Sequence, residues 1–187
     1  MGYIYLYTGT GAGKTTNALG LALRSVGHKR KVIIIQFMKW WKNIGEYKVR
    51  KRLKPYYEIY QFGRPGWIKI NDGRTKYVKI NGMKLKVRSL EELDRKLCEK
   101  ALKFAEEIVR KKKVHLLVLD EINLALHWKL LDIKKVLEFL DSIPEHTHVV
   151  LTGRYAPKKL MERADFVNII IDKKYPKKMV TTEGIQY

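Results

Sequence analysis

Thr8-Gly9-Thr10-Gly11-Ala12-Gly13-Lys14-Thr15-Thr16 follows directly on the apolar and aromatic run Tyr3-Ile4-Tyr5-Leu6-Tyr7. The run reads as a short buried strand, and the glycine-rich turn after it opens a helix near Lys14. A strand, a glycine turn and a helix start carrying Gly-Lys-Thr together make the setting of a P-loop. Glycines 9, 11 and 13 let the backbone curl so that successive N–H groups point inward, and the helix start turns its positive dipole end to the same spot. Lys14 reaches over such a loop to phosphate oxygens, and the Thr15 hydroxyl offers an oxygen ligand to a phosphate-bound Mg²⁺. Gly9, Thr10, Gly11, Ala12, Gly13, Lys14, Thr15 and Thr16 are therefore the candidate nucleotide-binding residues. An ordinary strand-to-helix turn would explain the glycines but neither Lys14 nor Thr15. The loop departs from the general pattern: three residues, not four, separate Gly9 from Gly13-Lys14, and position 8 is Thr. A dinucleotide fingerprint is excluded, because Lys14 stands where its third glycine is required.

Outward from the turn, Ala18, Leu19, Leu21, Ala22 and Val26 share one broad helix face, and Gly27 supplies a stop. Lys31 to Phe37 is too apolar to alternate, as expected of a central parallel strand covered on both sides. A basic helix from about Glu46 to Lys54 is expected next, then a strand from Tyr56 to Phe62, with Pro55 between them. Gly63 to Arg88 is the least regular stretch and reads as a loop or hairpin insertion. Ser89-Leu90-Glu91-Glu92 looks like a capping box, and Leu93, Leu97, Ala101, Phe104, Ala105 and Ile108 then repeat at helical spacing. Strands at 114–119, 148–152 and 166–171 alternate with helices at 133–139 and 157–164. The expectation is one P-loop, RecA-like α/β domain over residues 1–187, its mainly parallel sheet covered by helices on both faces.

The 187 residues fit one core, and 45% hydrophobic against 31% charged residues exclude a disordered tail. Cys98 is the single cysteine, and no stretch has the order of a signal peptide, which points to a reducing cytoplasm. No apolar run approaches the roughly 20 residues of a membrane span. Thirty-nine basic against 19 acidic side chains leave a net charge of +20. That field attracts polyanions, yet most of the excess lies between Lys42 and Lys113, where it also reads as a lysine-rich solvated surface.

Leu116-Leu117-Val118-Leu119-Asp120-Glu121 is an apolar strand ending in two carboxylates, which in a nucleotide-binding sheet emerge beside the P-loop. Thr15, one of these acids and the nucleotide phosphates suffice for Mg²⁺, a cation that keeps several waters. Glu121 reads as the better direct ligand, although spacing does not order it against Asp120. Arg154, after Val149-Val150-Leu151 and Thr152-Gly153, belongs at the same sheet edge and is placed with Lys14 as catalytic. Arg24, in the first helix's last turn, reads equally as a nucleotide contact or as dipole complementarity. His28, His115, His127, His146 and His148 have no metal-cluster spacing, and nothing pairs as Ser-His-Asp or Cys-His.

In order along the chain, these residues resemble the P-loop type of ATP:corrinoid adenosyltransferase. The shortened P-loop is similar to that family's own. Gly20-Leu21-Ala22-Leu23-Arg24-Ser25-Val26-Gly27-His28 resembles its first helix, Gln36-Phe37-Met38-Lys39 its second strand exit and Gly45-Glu46 its next turn. Val118 to Leu126 resembles its acidic motif, Pro144 to Arg154 its late strand and turn, and Gly184-Ile185-Gln186-Tyr187 its C-terminal ending. The resemblance implies a transferase that moves the 5′-deoxyadenosyl group of ATP to the Co(I) of a reduced corrinoid and releases triphosphate. It also implies ATP lying across the P-loop in the reverse of the usual sense, a homodimer, and an electron donor or reductase for cobalt. Aromatic residues of the family sit beneath the corrin ring. Trp67, in Gly63-Arg64-Pro65-Gly66-Trp67-Ile68, and Phe62 are the corresponding candidates, although the pattern differs from the usual Phe-x-Trp. The competing expectation is a nucleic-acid-stimulated RecA-like ATPase, which the P-loop, the acidic strand end and the charge all permit. It leaves the shortened loop and the motif order unexplained, and no nucleic-acid-recognition signature is present, so nucleic acid is not an expected partner.

Overall fold

The computed structural model describes residues 2–68, 77–80, 83–174, 176 and 182–185. β1 (Ile4–Thr8) leads through the glycine turn into α1 (Lys14–Gly27), and β2 (Val32–Phe37) follows. A short α2 (Gly45–Lys48) runs into a 3₁₀ turn (Val49–Lys51) ahead of β3 (Tyr57–Phe62). β4 (Trp67–Ile68), β5 (Tyr77–Ile80) and β6 (Met83–Arg88) precede the long α3 (Glu92–Lys111). Then come β7 (Leu116–Asp120), α4 (Ile122–His127), α5 (Ile133–Asp141), β8 (His148–Thr152), α6 (Lys158–Arg163) and β9 (Phe166–Ile169).

Six strands form one sheet in the order β3-β2-β7-β8-β1-β9, and every pairing in it is parallel. The continuous apolar runs explain the centre: every residue of β2 and β7 is buried, because both faces are covered. Alternate side chains separate into two cores. Val32, Ile34, Leu116, Val118 and Val150 meet Ala18 and Ala22 of α1 on one face. Ile33, Ile35, Leu117, Leu119 and Leu151 meet α3, α4, α5 and α6 on the other. Each such Ile or Leu, taken out of water, contributes about 1.5–3 kcal/mol. With the strands parallel, all the carboxyl ends and the start of α1 come to one edge.

Three local readings are corrected. The basic helix expected to Lys54 ends as a 3₁₀ turn at Lys51, and neither piece contains a buried residue, so no apolar stripe holds it longer. The cap of α3 is Glu91, not Ser89, paired with Asp94 in a capping box. The short α4 after the acidic pair was not expected at all. The stretch read as a loop or hairpin insertion lies outside the described residues at 69–76 and 81–82. Within it β5 and β6 pair antiparallel from Tyr77↔Lys86 to Ile80↔Met83, and β4 joins β6 in parallel. The C-terminal motif also leaves the described residues at 186 and 187. Among the described residues no helix is long and apolar enough to cross a membrane.

Candidate active site

Asp120, the last residue of β7, stands in register beside Gln36 of β2 and is fully buried. Four donors converge on its carboxylate. Thr15 Oγ1 and Thr152 Oγ1 donate to Oδ1 at 2.8 and 2.7 Å, while Gln36 Nε2 and Lys39 Nζ donate to Oδ2 at 3.0 and 2.7 Å. Burial alone would push this carboxyl up; the Lys39 ammonium and the two hydroxyls more than offset it and hold its pKa below the ordinary value. The helix start carrying Thr15 is thereby tied to the ends of three strands.

Glu121 is held differently. Its backbone is left-handed at φ 67°, and its N–H donates to Thr152 Oγ1 at 3.1 Å. Burial and then the neighbouring Asp120 charge push its pKa up, opposed by Lys39, Lys14 and Arg154. Two adjacent carboxyls are thus driven apart, one a fixed anion and the other more easily protonated.

Lys14 is 8% exposed, and its ammonium donates to the Gly11 carbonyl oxygen of its own loop. Burial and then Arg154 lower its pKa, while Glu121 and Asp172 pull it back up. Two cations, Lys14 and Arg154, are thus brought to the mouth of the same loop. Gly153 delivers that arginine at φ 132°, where a Cβ would stand 3.0 Å from both Asn123 Cβ and Leu124 N. Asn123 pins the corner, its Nδ2 donating to the carbonyl oxygens of Tyr7 and Gly153 at 3.1 Å each. The segment after β9 lies along the P-loop: Gly11 N–H donates to Ile170 O at 2.9 Å, and Ala12 N–H to the Asp172 carboxylate at 3.2 and 3.3 Å.

Lys14, Thr15, Asp120, Glu121 and Arg154, singled out in the sequence, therefore meet at one edge. Arg24 does not join them. Ten residues along α1 from Lys14, it is about 15 Å away, near His28, Arg30 and His115, where it complements the helix dipole. Phe62 packs its ring against Phe104 of α3 at 5.4 Å, on the margin of the core. Trp67 is 50% exposed, and its turn is fastened to the β2 exit by Trp40 Nε1, which donates to Gly66 O at 3.3 Å. Gln36, Lys39, Thr152, Asn123 and Asp172 went unread as site residues. For Gln36 a signal existed: a polar side chain interrupting the buried run Val32–Phe37 close to its carboxyl end. Nothing local marks Asp172, which reaches the P-loop across 160 residues.

The donor set suits Mg²⁺. Thr15 Oγ1 and two carboxylates are hard oxygens, and among the described residues no group of three His, Cys, Asp or Glu could hold a metal ion without other ligands. A cation that accepts few protein ligands and takes phosphates and waters for the rest fits such a site.

The parallel sheet, with a strand between the glycine-turn strand and the acidic strand, and with Lys14 and Thr15 facing the acids, has the P-loop NTPase-like fold. The chain belongs to the ATP:corrinoid adenosyltransferase BtuR/CobO/CobP family, which it matches over residues 1–187. It is 32% identical over 168 residues to a corrinoid adenosyltransferase of Sinorhizobium sp, covering 89% of this chain and 70% of that protein. The corrinoid adenosyltransferase of Pseudomonas aeruginosa is 30% identical over 166 residues, 89% of this chain and 73% of that one. That of Escherichia coli K12 is 30% identical over 168 residues, 89% and 75% respectively. The protein is accordingly a transferase whose substrates are ATP and a corrinoid.

Proposed function

We propose that residues 1–187 act as one domain, with an insertion at about 63–88, that moves the 5′-deoxyadenosyl group of ATP to the Co(I) of a reduced corrinoid. The product is adenosylcobalamin or an adenosylcobinamide-type corrinoid, with inorganic triphosphate. The cobalt electron pair attacks C5′, the cobalt–carbon bond forms, and the C5′–oxygen bond breaks with its electron pair leaving on triphosphate. The nucleophile is the substrate's, so the protein has two tasks: to hold C5′ in line with cobalt and to stabilise the leaving charge. The meeting of Lys14, Arg154, Thr15 and the acidic pair at one sheet edge carries this reading, because each answers a need of a departing triphosphate. Mg²⁺, when bound, would neutralise phosphate oxygens; Thr15 with Glu121 or Asp120 would hold it.

The P-loop amides from Gly9 to Thr16 receive the phosphates, ATP running in the reverse of the usual sense. Trp67 and Phe62 are the aromatic residues assigned to the lower face of the corrin ring. The working form is a homodimer in the cytoplasm, supplied with electrons by a separate reductase or donor. Anaerobic mixing of the protein with Mg-ATP and chemically reduced cobalamin tests this, with the visible spectrum following cobalt–carbon bond formation and triphosphate assayed alongside. Lys14→Ala is expected to abolish transfer while the fold stays intact; near-normal turnover would sink the P-loop assignment. Phosphate release stimulated by DNA or RNA, without adenosylated product, would favour the RecA-like ATPase instead.

A further inference from the structure

Lys39 has no place in the function as proposed, yet its position is among the most strictly built at the site. It follows Met38, whose backbone is left-handed at φ 59°, so the chain leaving β2 turns sharply. The corner is closed from behind by Gly63, where a Cβ would stand 2.7 Å from the Lys39 carbonyl oxygen; any side chain there would push the corner away. Met38 N–H donates to Phe62 O at 2.9 Å, and Gln61 Nε2 donates to Trp41 O at 3.2 Å, which fixes the backbone on both sides. From this corner the flexible stem brings Nζ to 2.7 Å from Asp120 Oδ2. The side chain is still 29% exposed, whereas its partner is fully buried. The backbone is locked, while part of the side chain stays in contact with solvent.

Asp120 keeps three other donors when Lys39 leaves: Thr15, Thr152 and Gln36. The departure therefore strands no lone pair, but it does leave a buried negative charge that another cation must answer. A divalent ion arriving beside Thr15 repels an ammonium resting on the same carboxylate, and the triphosphate arriving with it offers that ammonium several negative oxygens. We propose that Lys39 is the resident cation of the acidic pair in the nucleotide-free protein, exchanged for Mg²⁺ and transferred to the triphosphate when Mg-ATP binds. Its binding role then has two parts: it keeps the acids from collecting a metal before nucleotide is present, and it adds a third cation to Lys14 and Arg154 on the leaving group. This rests on the adenosyl-transfer reading only for the identity of the triphosphate.

The experiment compares the parent chain with Lys39→Met, which keeps the stem and removes the charge, and with Lys39→Arg. Mn²⁺ uptake without nucleotide is followed by electron paramagnetic resonance, and binding of inorganic triphosphate and of adenosine by calorimetry. Lys39→Met is expected to take up Mn²⁺ roughly tenfold more tightly than the parent, and to lose roughly tenfold or more in triphosphate affinity with adenosine binding held within about twofold. Lys39→Arg restores most of both. Unchanged Mn²⁺ uptake in Lys39→Met, or equal losses for triphosphate and adenosine, would overturn the exchange and leave Lys39 a structural ion pair. If Lys39→Met does not fold, Lys39→Gln, which also removes the charge, takes its place and the same two readouts decide. Failure of the parent to adenosylate cobalamin would count against the function and not against these binding readouts.

Discussion

Asp94→Asn is expected to loosen the insertion from the body of the protein and to do so in a pH-dependent way. Asp94 is 1% exposed and accepts from Arg64 at 3.2 and 3.0 Å and from Arg88 at 2.8 and 2.8 Å, two forked pairs on one carboxylate. Arg64 lies in the turn that carries Trp67, and Arg88 ends β6, so a single carboxylate at the start of α3 clamps both ends of the insertion. Burial alone would raise its pKa; the two arginines bring it from 3.8 down to about 2. At about 1.4 kcal/mol per pH unit, that difference corresponds to about 2.5 kcal/mol of stability at pH 7. Because the folded-state pKa is depressed, the contribution is complete above the unfolded value near 3.8 and fades as pH falls through about 2. About 1.3 kcal/mol of it remains at pH 3. Removing one partner of a buried pair commonly costs about 3–5 kcal/mol, and Arg64, which is 21% exposed, can recover some solvation, so the lower figure stands. Urea unfolding of parent and variant at pH 7 and pH 3 reads the gap, and Tm at pH 7 should fall by about 5–12 °C. A gap below about 1 kcal/mol at pH 7, or one that does not narrow by pH 3, refutes the reasoning.

An aromatic ring on the lower corrin face would keep an axial ligand off cobalt and so ease Co(II) reduction; Trp67→Ala should therefore slow the reaction started from Co(II) far more than the one given free Co(I), and equal losses would remove Trp67 from that role. Gly153→Ala meets both a backbone at φ 132° and the Asn123–Leu124 corner, and displacing Arg154 should lower kcat roughly tenfold with ATP affinity little changed. Steady-state kinetics check it, and parental kcat would mean that Arg154 does not act on the leaving group. Asp172→Ala frees the Ala12 N–H and removes an acid near Lys14, so ATP should bind roughly twofold to fivefold tighter by calorimetry. Weaker binding would make Asp172 a support of the loop.

What the sequence revealed is what local chemistry writes into short stretches. A glycine turn between an apolar strand and a helix has few uses, and Val32–Phe37 and Leu116–Leu119 are too apolar for anything but the covered centre of a parallel sheet. Thr15 could be set opposite the acids because both follow strands whose carboxyl ends share an edge. Arg24 stands apart from the other candidates for a reason that counting along α1 supplies, since ten residues of helix carry it to the other edge of the sheet. The Asp120 hub was beyond reach. Gln36 and Thr152 are brought to it by strand order, and order depends on how the layers pack. Glu91 rather than Ser89 caps α3 for the same reason, its partner Asp94 being drawn in by two arginines from the insertion.

The two carboxylates show why adjacent acids need not do the same work. Asp120 is fully buried at the end of its strand, and its service is to hold Thr15, Thr152 and Gln36 in one arrangement. Glu121, on a left-handed backbone, lies within electrostatic reach of Lys14 and Arg154, with its charge disfavoured by burial and by its neighbour. A cation entering this edge would relieve Glu121 and compete for Asp120, so one Mg-triphosphate would answer together the charges gathered there. The strain is electrostatic and confined to side chains, because the strands beneath are locked by their ladders and by two apolar cores. Such a frame would let the Lys39 ammonium change partners while the glycine turn stays where Thr15 and the sheet set it.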